Sequence, residues 1–350
     1  MSGSLQNLLA DHTITASAPC RIDSGGTWDI KAMSLPFQWI EPTTVNMALN
    51  LRTSVVLSPY KKGWVKISSH GFPRGEAVLK DQLPFDSTFG LFFSAISYFG
   101  FHGLEAHISS QSPVKSALGG SSTAMVALIK ALSKISLMLG DRKLSRSEIL
   151  YLSYNLEDGI NSGNCGIQDQ AAAVYGGVNQ WKWCYGHPAY PFKKSSLLDK
   201  KGQREFSRHL LVAYSGKSHI SLRTNRKWIK DFLSGETRAG WIKVNGIVHQ
   251  LAESIKAQNW KRAANLIKEE MILRRELTPD ALIPITKNLA DQAEHAGCGA
   301  RFAGAGAGGS IWALGRIKDI QKLKKLWEDT LAPIKGAKIL DCKVDSTGVR

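Results

Sequence analysis

Residues 113–124, PVKSALGGSSTA, run straight into an apolar helical pattern, and this junction constrains the fold more than any other segment. Residues 122–139 place Met125, Leu128, Ile129, Leu132 and Ile135 three and four apart, the spacing of one helix face, and Gly140 follows as a stop. A small-residue turn opening such a helix has a definite chemical capability. Its backbone amides can approach an anion, the helix N-terminus adds unpaired N–H groups and a positive dipole end, and the hydroxyls of Ser121 and Ser122 are in reach of phosphate or Mg2+. The same residues also describe a plain serine-capped helix after a glycine turn, so the segment alone leaves both readings open.

A second glycine-rich segment, GAGAGG at residues 304–309, formally matches G-x-G-x-x-G. It is followed by the strand-like SIWAL and not by a helix, and too few residues remain for a dinucleotide-binding domain, so it reads as a tight hairpin. No G-x-x-x-x-G-K-[ST] pattern occurs, which disfavours a P-loop nucleotidase.

Around these landmarks the chain divides into a strand-rich start, a helical middle and an alternating end. Residues 48–58, 64–68 and 104–109 read as strands of an antiparallel sheet, with a turn at 59–63. Ser145 with Glu148 forms a capping-box signature, and Ile149, Leu152 and Leu156 carry the stripe on towards Glu157. Residues 167–175 read as a short helix closed by Gly176 and Gly177. The polar, basic stretch 186–204 is the expected boundary between domains 1–195 and 205–350. Beyond it come a strand (210–214), helices (223–232, 239–256, 260–275 and 285–296), strands (300–303 and 310–314), a helix (317–331) and a strand (338–344). Helices on one face of a small sheet make an α+β unit.

Composition narrows the class. The chain has 350 residues, room for about two domains with real cores, and its 43% hydrophobic and 21% charged shares argue against wholesale disorder. No apolar run long enough for a membrane span and no signal-peptide pattern stand out, which points to a cytoplasmic enzyme. Five scattered cysteines with no Cys-x-x-Cys pair argue against a disulfide framework or a structural zinc site, and Cys165 reads as a small buried hydrophobe. The net charge of +16 favours anionic partners.

Three segments in order resemble the galactokinase, homoserine kinase, mevalonate kinase and phosphomevalonate kinase superfamily, the GHMP kinases. Residues 18–30, APCRIDSGGTWDI, resemble the sugar-recognition motif; residues 113–124 resemble the P-x-x-x-G-L-G-S-S-A phosphate loop; residues 301–314 resemble the C-terminal glycine motif. A fourth match, CGIQDQ at 165–170, is close to the segment that carries the catalytic aspartate in galactokinases and heptose-phosphate kinases. Within the superfamily, GG-x-x-D at 25–29 after Arg21 is most similar to the L-fucose kinase and D-glycero-D-manno-heptose 7-phosphate kinase branch. Two departures stand in the phosphate loop: Ala117 replaces its first glycine and Gly120 its first serine.

The resemblance implies a two-domain α+β fold, with an N-terminal half like a ribosomal-protein domain and a C-terminal ferredoxin-like half. It implies ATP and Mg2+ as cofactors and a sugar or sugar phosphate as acceptor. Pro113, Lys115, Ser116, Ala117, Leu118, Gly119, Gly120, Ser121, Ser122 and Thr123 would cradle the phosphates, with Ser121 and Glu157 facing Mg2+. Asp169 would accept the proton of the sugar hydroxyl or hold that hydroxyl in line, and Arg21 would support the Asp169 carboxylate and steady the γ-phosphate. Asp29, Gly25 and Gly26 would meet the sugar, while Gly304, Gly306 and Gly308 would pack under the phosphate loop. Trp28 is a candidate to stack on a sugar face, and Lys217 and His219 are candidate substrate contacts.

Two alternatives belong beside this reading. One is a mevalonate-like or amino-alcohol acceptor, favoured if Arg21 and Asp29 point away from the cleft. The other is a nucleic-acid-binding protein on the same fold, for which no aromatic RNA-binding consensus or basic helix is present. The expected partners are therefore a small-molecule substrate and no nucleic acid or membrane, in a monomer or homodimer.

Overall fold

The computed structural model describes residues 2–187, 191–218 and 221–350. The first of its two sheets contains β1 (Ile14–Ser24), β2 (Thr43–Pro59), β3 (Trp64–Ser69), β4 (Glu76–Leu79), β5 (Leu104–Ser110), β6 (Val178–Trp183) and β7 (Phe192–Ser196). The second contains β8 (Leu210–Tyr214), β9 (Gly299–Phe302), β10 (Ser310–Leu314) and β11 (Lys338–Leu340). The helices of the first half are α1 (Ser2–Asp11), α2 (Lys31–Ser34), α3 (Gly90–Phe99), α4 (Gly120–Met138), α5 (Arg146–Ile160) and α6 (Gln168–Tyr175). Those of the second half are α7 (Lys200–Arg208), α8 (Ser221–Ser234), α9 (Arg238–Lys256), α10 (Trp260–Leu277), α11 (Pro284–His295) and α12 (Ile317–Leu331).

The first sheet runs β4-β3-β5-β2-β6-β7, with β1 along the other side of β2. At 17 residues β2 is long enough to serve several neighbours: Thr43 to Met47 pair with β6, Thr53 to Pro59 with β5, and β1 follows almost its whole length. The sheet is mixed and not antiparallel throughout, because β3 and β5 run parallel. The chain between them passes through β4 and α3, the kind of crossover that parallel neighbours need. The second sheet is antiparallel, in the order β11-β8-β10-β9.

Helix α4 is the organising element of the first half. Ser122 through Ile129 are all buried, and the helix packs on β1, β2 and α5. Among the described residues it is the one helix long and apolar enough to cross a membrane, which a count of strictly apolar runs overlooks because Lys130, Ser133, Lys134 and Ser136 interrupt it. Its apolar surface is instead spent on the protein core. Helix α5 starts at the capping box anticipated above, with Ser145 and Glu148 bonding reciprocally. Helix α6 ends at Gly176, whose φ of 67° and close approach to the Gly348 amide exclude a side chain.

Within the basic stretch 186–204, the described residues from 192 onward carry regular structure. They contribute β7, paired with β6, and the start of α7, which Asp199 caps by accepting from the Gly202 amide (2.7 Å). Residues 343–350 return to the first sheet: Asn50 N–H donates to the Lys343 carbonyl, and Ser17 and Arg350 exchange two backbone hydrogen bonds of 2.9 and 3.0 Å. One large apolar core is shared by both halves, running from α4 to Trp241, Val244 and Val248 on α9, and a smaller one lies beneath the second sheet.

Candidate active site

Strand β1 is buried from Ala18 to Ser24, and it carries Arg21 into a cleft of ≈ 710 Å³. Arg21 grips Asp169 with two hydrogen bonds, Nε to Oδ1 (2.7 Å) and Nη2 to Oδ2 (2.8 Å), and donates a third through Nη1 to the Ala117 carbonyl (2.8 Å). Two parallel charged bonds are the geometry in which a guanidinium holds a carboxylate best. Burial opposes the Arg21 charge, but Asp169 and then Asp23 outweigh it, and its pKa is raised above the ordinary value.

The glycine-serine turn lies beside this pair. Lys115, Ala117 and Gly119 all have positive φ (54°, 62° and 75°), so every second residue is left-handed and the backbone curls around the helix entrance. The first bond of α4 runs from Thr123 N–H to the Gly119 carbonyl (2.9 Å), which leaves the amides of Gly120, Ser121 and Ser122 without helical partners. Gly119 has little room for a side chain, since a Cβ would lie 3.1 Å from Asp169 Oδ2. Pro113, Lys115, Ser116, Ala117 and the residues from Gly119 to Ser122 line the cleft. Leu118 does not, being fully buried in the core, and the Thr123 hydroxyl turns back onto the Gly119 carbonyl (2.8 Å).

The hairpin at 304–309 backs this turn. A Cβ at Gly304 would stand 3.0 Å from the Ala117 carbonyl and 3.2 Å from Arg21 Nη2, and Ser310 N–H donates to the Ser116 carbonyl (2.8 Å). Gly306 packs on Ala281 and Gly308 on the Ser218 carbonyl, so these two shape the hairpin away from the cleft. Lys217 is exposed and contributes its carbonyl to Gly309 N–H (2.8 Å), and His219 lies outside the described residues.

Two further carboxyls face the cleft. Asp29 accepts from the amides of Thr27 (3.2 Å) and Gln168 (3.1 Å), and a Cβ at Gly166 would collide with it. Burial pushes its pKa up to about 7 against the Gln168 bond, with Asp169 and Asp23 adding repulsion. Glu157, near the end of α5, takes the Gln170 amide on Oε2 (2.7 Å), and burial raises its pKa to about 7 against the Ser122 hydroxyl. Gly26 lines the cleft, whereas Gly25 is held behind it by its amide bond to Glu270 Oε1 (3.1 Å).

No cluster of three or more His, Cys, Asp or Glu among the described residues could hold a metal ion. Mg2+ asks for less, typically one or two carboxylates with phosphate oxygens and water completing its shell. The buried Glu157 carboxyl next to the Ser122 hydroxyl fits an ion that arrives with a phosphate better than a resident one. Cys165 is half-buried at the cleft, and burial raises its pKa, so it stays a thiol.

Several cleft residues escape sequence reasoning. Trp28 is fully buried with its indole N–H on the Trp241 carbonyl (3.1 Å), and the tryptophan that lines the cleft is Trp228 of α8, which reads in sequence as an ordinary apolar helix position. Phe72, Phe85 and Phe92 make the far end apolar, drawn from two loops and α3. Beneath residues 23–26 lies a buried ionic layer: Arg301 donates to Asp23 Oδ1 (2.6 Å) and to Glu270 Oε1 (2.9 Å), and Ser24 donates to the other Glu270 oxygen. A charged residue within an apolar stripe, such as Glu270 among Ala263, Leu266, Ile267 and Met271, is the signal that could have found it.

Residues 88–177 match the family model described as the GHMP kinases N terminal domain. A mevalonate kinase of Pyrococcus horikoshii is 25% identical over 312 residues, covering 80% of this chain and 84% of that protein. Among solved structures, a Lactococcus lactis galactokinase complexed with galactose superposes with a TM-score of 0.71 at 16% identity, covering 99% of each chain. A D-glycero-D-manno-heptose 1-phosphate kinase from Bacteroides thetaiotaomicron gives 0.69 at 16% identity, covering 97% of this chain and 98% of that one. At such identities these structures establish the shared fold.

The site yields two expectations. Ala117 sits where only glycine is unstrained, so Ala117→Gly should raise stability by about 0.5–1 kcal/mol, the relieved left-handed strain less the added freedom of the unfolded chain. A higher urea midpoint with an unchanged m-value checks it. For Asp29 the folded pKa lies above the unfolded one, so its contribution to stability is full below pH 4 and is lost as pH rises through about 7. Asp29→Asn should therefore gain on the wild type as pH rises from 4 to 8 in unfolding curves, by less than the roughly 4 kcal/mol the full shift implies, because its single carbonyl oxygen can accept from only one of the Thr27 and Gln168 amides.

Proposed function

We propose, from the premise that the chain belongs to the GHMP kinase superfamily, that it transfers the γ-phosphoryl group of ATP to a hydroxyl of a sugar or sugar phosphate. One observation carries the reading: the Asp169 carboxylate, gripped by Arg21, stands beside Gly119 at the open N-terminus of α4, with Asp29 in the same cleft. Phosphoryl transfer needs chiefly alignment and charge neutralisation, and these residues offer both.

The free amides of Gly120, Ser121 and Ser122, with the helix dipole behind them, would receive the β- and γ-phosphates, and Lys115 adds a cation at the rim. The apolar end walled by Phe72, Phe85 and Phe92 would take the base. Glu157, Ser121 and Ser122 would hold Mg2+, which when bound supplies neutralising charge to the phosphate oxygens. Arg21 approaches Asp169 from one side, leaving the remaining lone pairs of the carboxylate for the acceptor hydroxyl, whose proton it would take or whose oxygen it would hold in line. Asp29, fixed by two amides, would accept from other hydroxyls of the acceptor.

A mevalonate-like acceptor is the second reading, supported by the 25% identity to a mevalonate kinase. Arg21 and Asp29 both lining the cleft favours the sugar. An ADP-release assay with L-fucose, D-arabinose, D-galactose, heptose 7-phosphate and mevalonate, with and without a Mg2+ chelator, separates the two. Turnover of mevalonate alone would replace the sugar reading. With the acceptor so identified, Asp169→Asn should bind Mg-ATP normally by calorimetry yet lose about 10²- to 10⁴-fold in kcat. Wild-type turnover by that variant would remove Asp169 from its role.

A further inference from the structure

Helix α10 carries a fully buried guanidinium with no carboxylate of its own. Arg301 in the same layer is paired with Asp23 and Glu270, whereas Arg274 forms no ion pair among the described residues. Three aromatic rings surround it instead, Trp241 at 4.4 Å, Trp228 at 4.6 Å and Phe302 at 5.0 Å. Its hydrogen bonds are long, Nη1 to the Gly26 carbonyl (3.4 Å) and Nε to Thr278 Oγ1 (3.3 Å), and Nη2 has no partner. Burial, and then the Arg301 charge, lower its pKa to about 9.

Such a charge weighs against folding, because aromatic faces and two long bonds only partly replace lost hydration. A methionine of similar reach would fill the space without that penalty. What the guanidinium adds is a junction: it ties α8 through Trp228, α9 through Trp241, β9 through Phe302, and the glycine loop through Gly26. Two of these four, Trp228 and Gly26, line the cleft, as Asp29 does.

We infer that Arg274 is a positioning residue for the acceptor, fixing the Trp228 ring and the Gly26 backbone as walls of the acceptor pocket without touching the acceptor. The inference deepens the kinase reading and rests on the Asp29 region of the cleft receiving the acceptor.

The test compares Arg274→Met and Arg274→Lys with the wild type, using Asp29→Asn to check which substrate that region holds. Arg274→Met should match or exceed the wild type in urea unfolding, while amide hydrogen exchange in residues 24–29 quickens by about tenfold or more. Arg274→Lys, which keeps a charge but not the planar stack, should show a smaller increase in the same peptide. These readouts need no acceptor, and Arg274→Lys decides the matter should Arg274→Met fail to fold. With L-fucose or mevalonate, whichever is turned over, Arg274→Met should raise the acceptor KM by about tenfold and leave the Mg-ATP KM within about twofold. Unchanged exchange in residues 24–29 of a folded variant, or an equal rise in both KM values, overturns the inference. If Asp29→Asn raises only the Mg-ATP KM, the acceptor reading of the cleft fails first and takes this inference with it.

Discussion

The Arg21 guanidinium is the point from which the site is built. Its three hydrogen bonds join β1 to α6 through Asp169 and to the phosphate-loop candidate through the Ala117 carbonyl, three pieces far apart in sequence. Because the fork is planar, those bonds fix direction as well as distance, so the carboxylate and the turn cannot shift independently. The Gly304 side of the hairpin closes against the same guanidinium, which brings the second half of the chain into the arrangement.

Behind Arg21 the protein accepts a second buried ionic layer. Asp23, Glu270 and Arg301 are all removed from water, and such groups stabilise only when each finds close partners. Asp23 Oδ2 and Arg301 Nη2 have no hydrogen-bond partner, but the bonds that do form act locally: Glu270 accepts from Ser24 and the Gly25 amide, and Arg301 holds the Asp23 carbonyl (2.8 Å) as well as its carboxylate. The loop leading to Asp29 is thereby anchored from beneath by α10 and β9. Position 26 cannot carry a side chain comfortably, since a Cβ there would press on Asp23 Oδ1 at 3.1 Å and Gln168 Nε2 at 3.2 Å.

Local patterns were legible in the sequence wherever one element decides its own structure. The apolar spacing of α4, the reciprocal Ser145 and Glu148 bonds, and the glycine stop after α6 all follow from chemistry within a few residues. The motifs likewise marked Arg21, Asp29, Glu157 and Asp169, which come together in one cleft. What stayed hidden depends on distant pairings. The parallel match of β3 with β5 is set by how the intervening chain crosses over, and strand β1 was masked by Pro19 and by the motif it carries. Glu270 and Arg274, four apart on α10, resemble a solvent-facing ion pair; in the fold both are buried and each has other partners. The exchange of Trp28 for Trp228 at the cleft is of the same kind, because Trp28 is covered by Phe232 and the Trp241 carbonyl from the second half, whereas Trp228 packs on Trp241, Met271 and Phe302, residues distant from it in sequence.

The return of residues 343–350 to the first sheet has a bearing on how the molecule comes into being on the ribosome. Arg52 holds Asp345 and the Gly348 carbonyl, and Val349 N–H reaches the Val174 carbonyl in α6. The free edge of β1 and the far end of α6, which between them present Arg21 and Asp169, are thus completed by residues synthesised well after them. Vectorial translation leaves the nascent N-terminal half with an open strand margin until residues 343–350 emerge, a window in which a chaperone or a wrong neighbour can compete for the place they finally take.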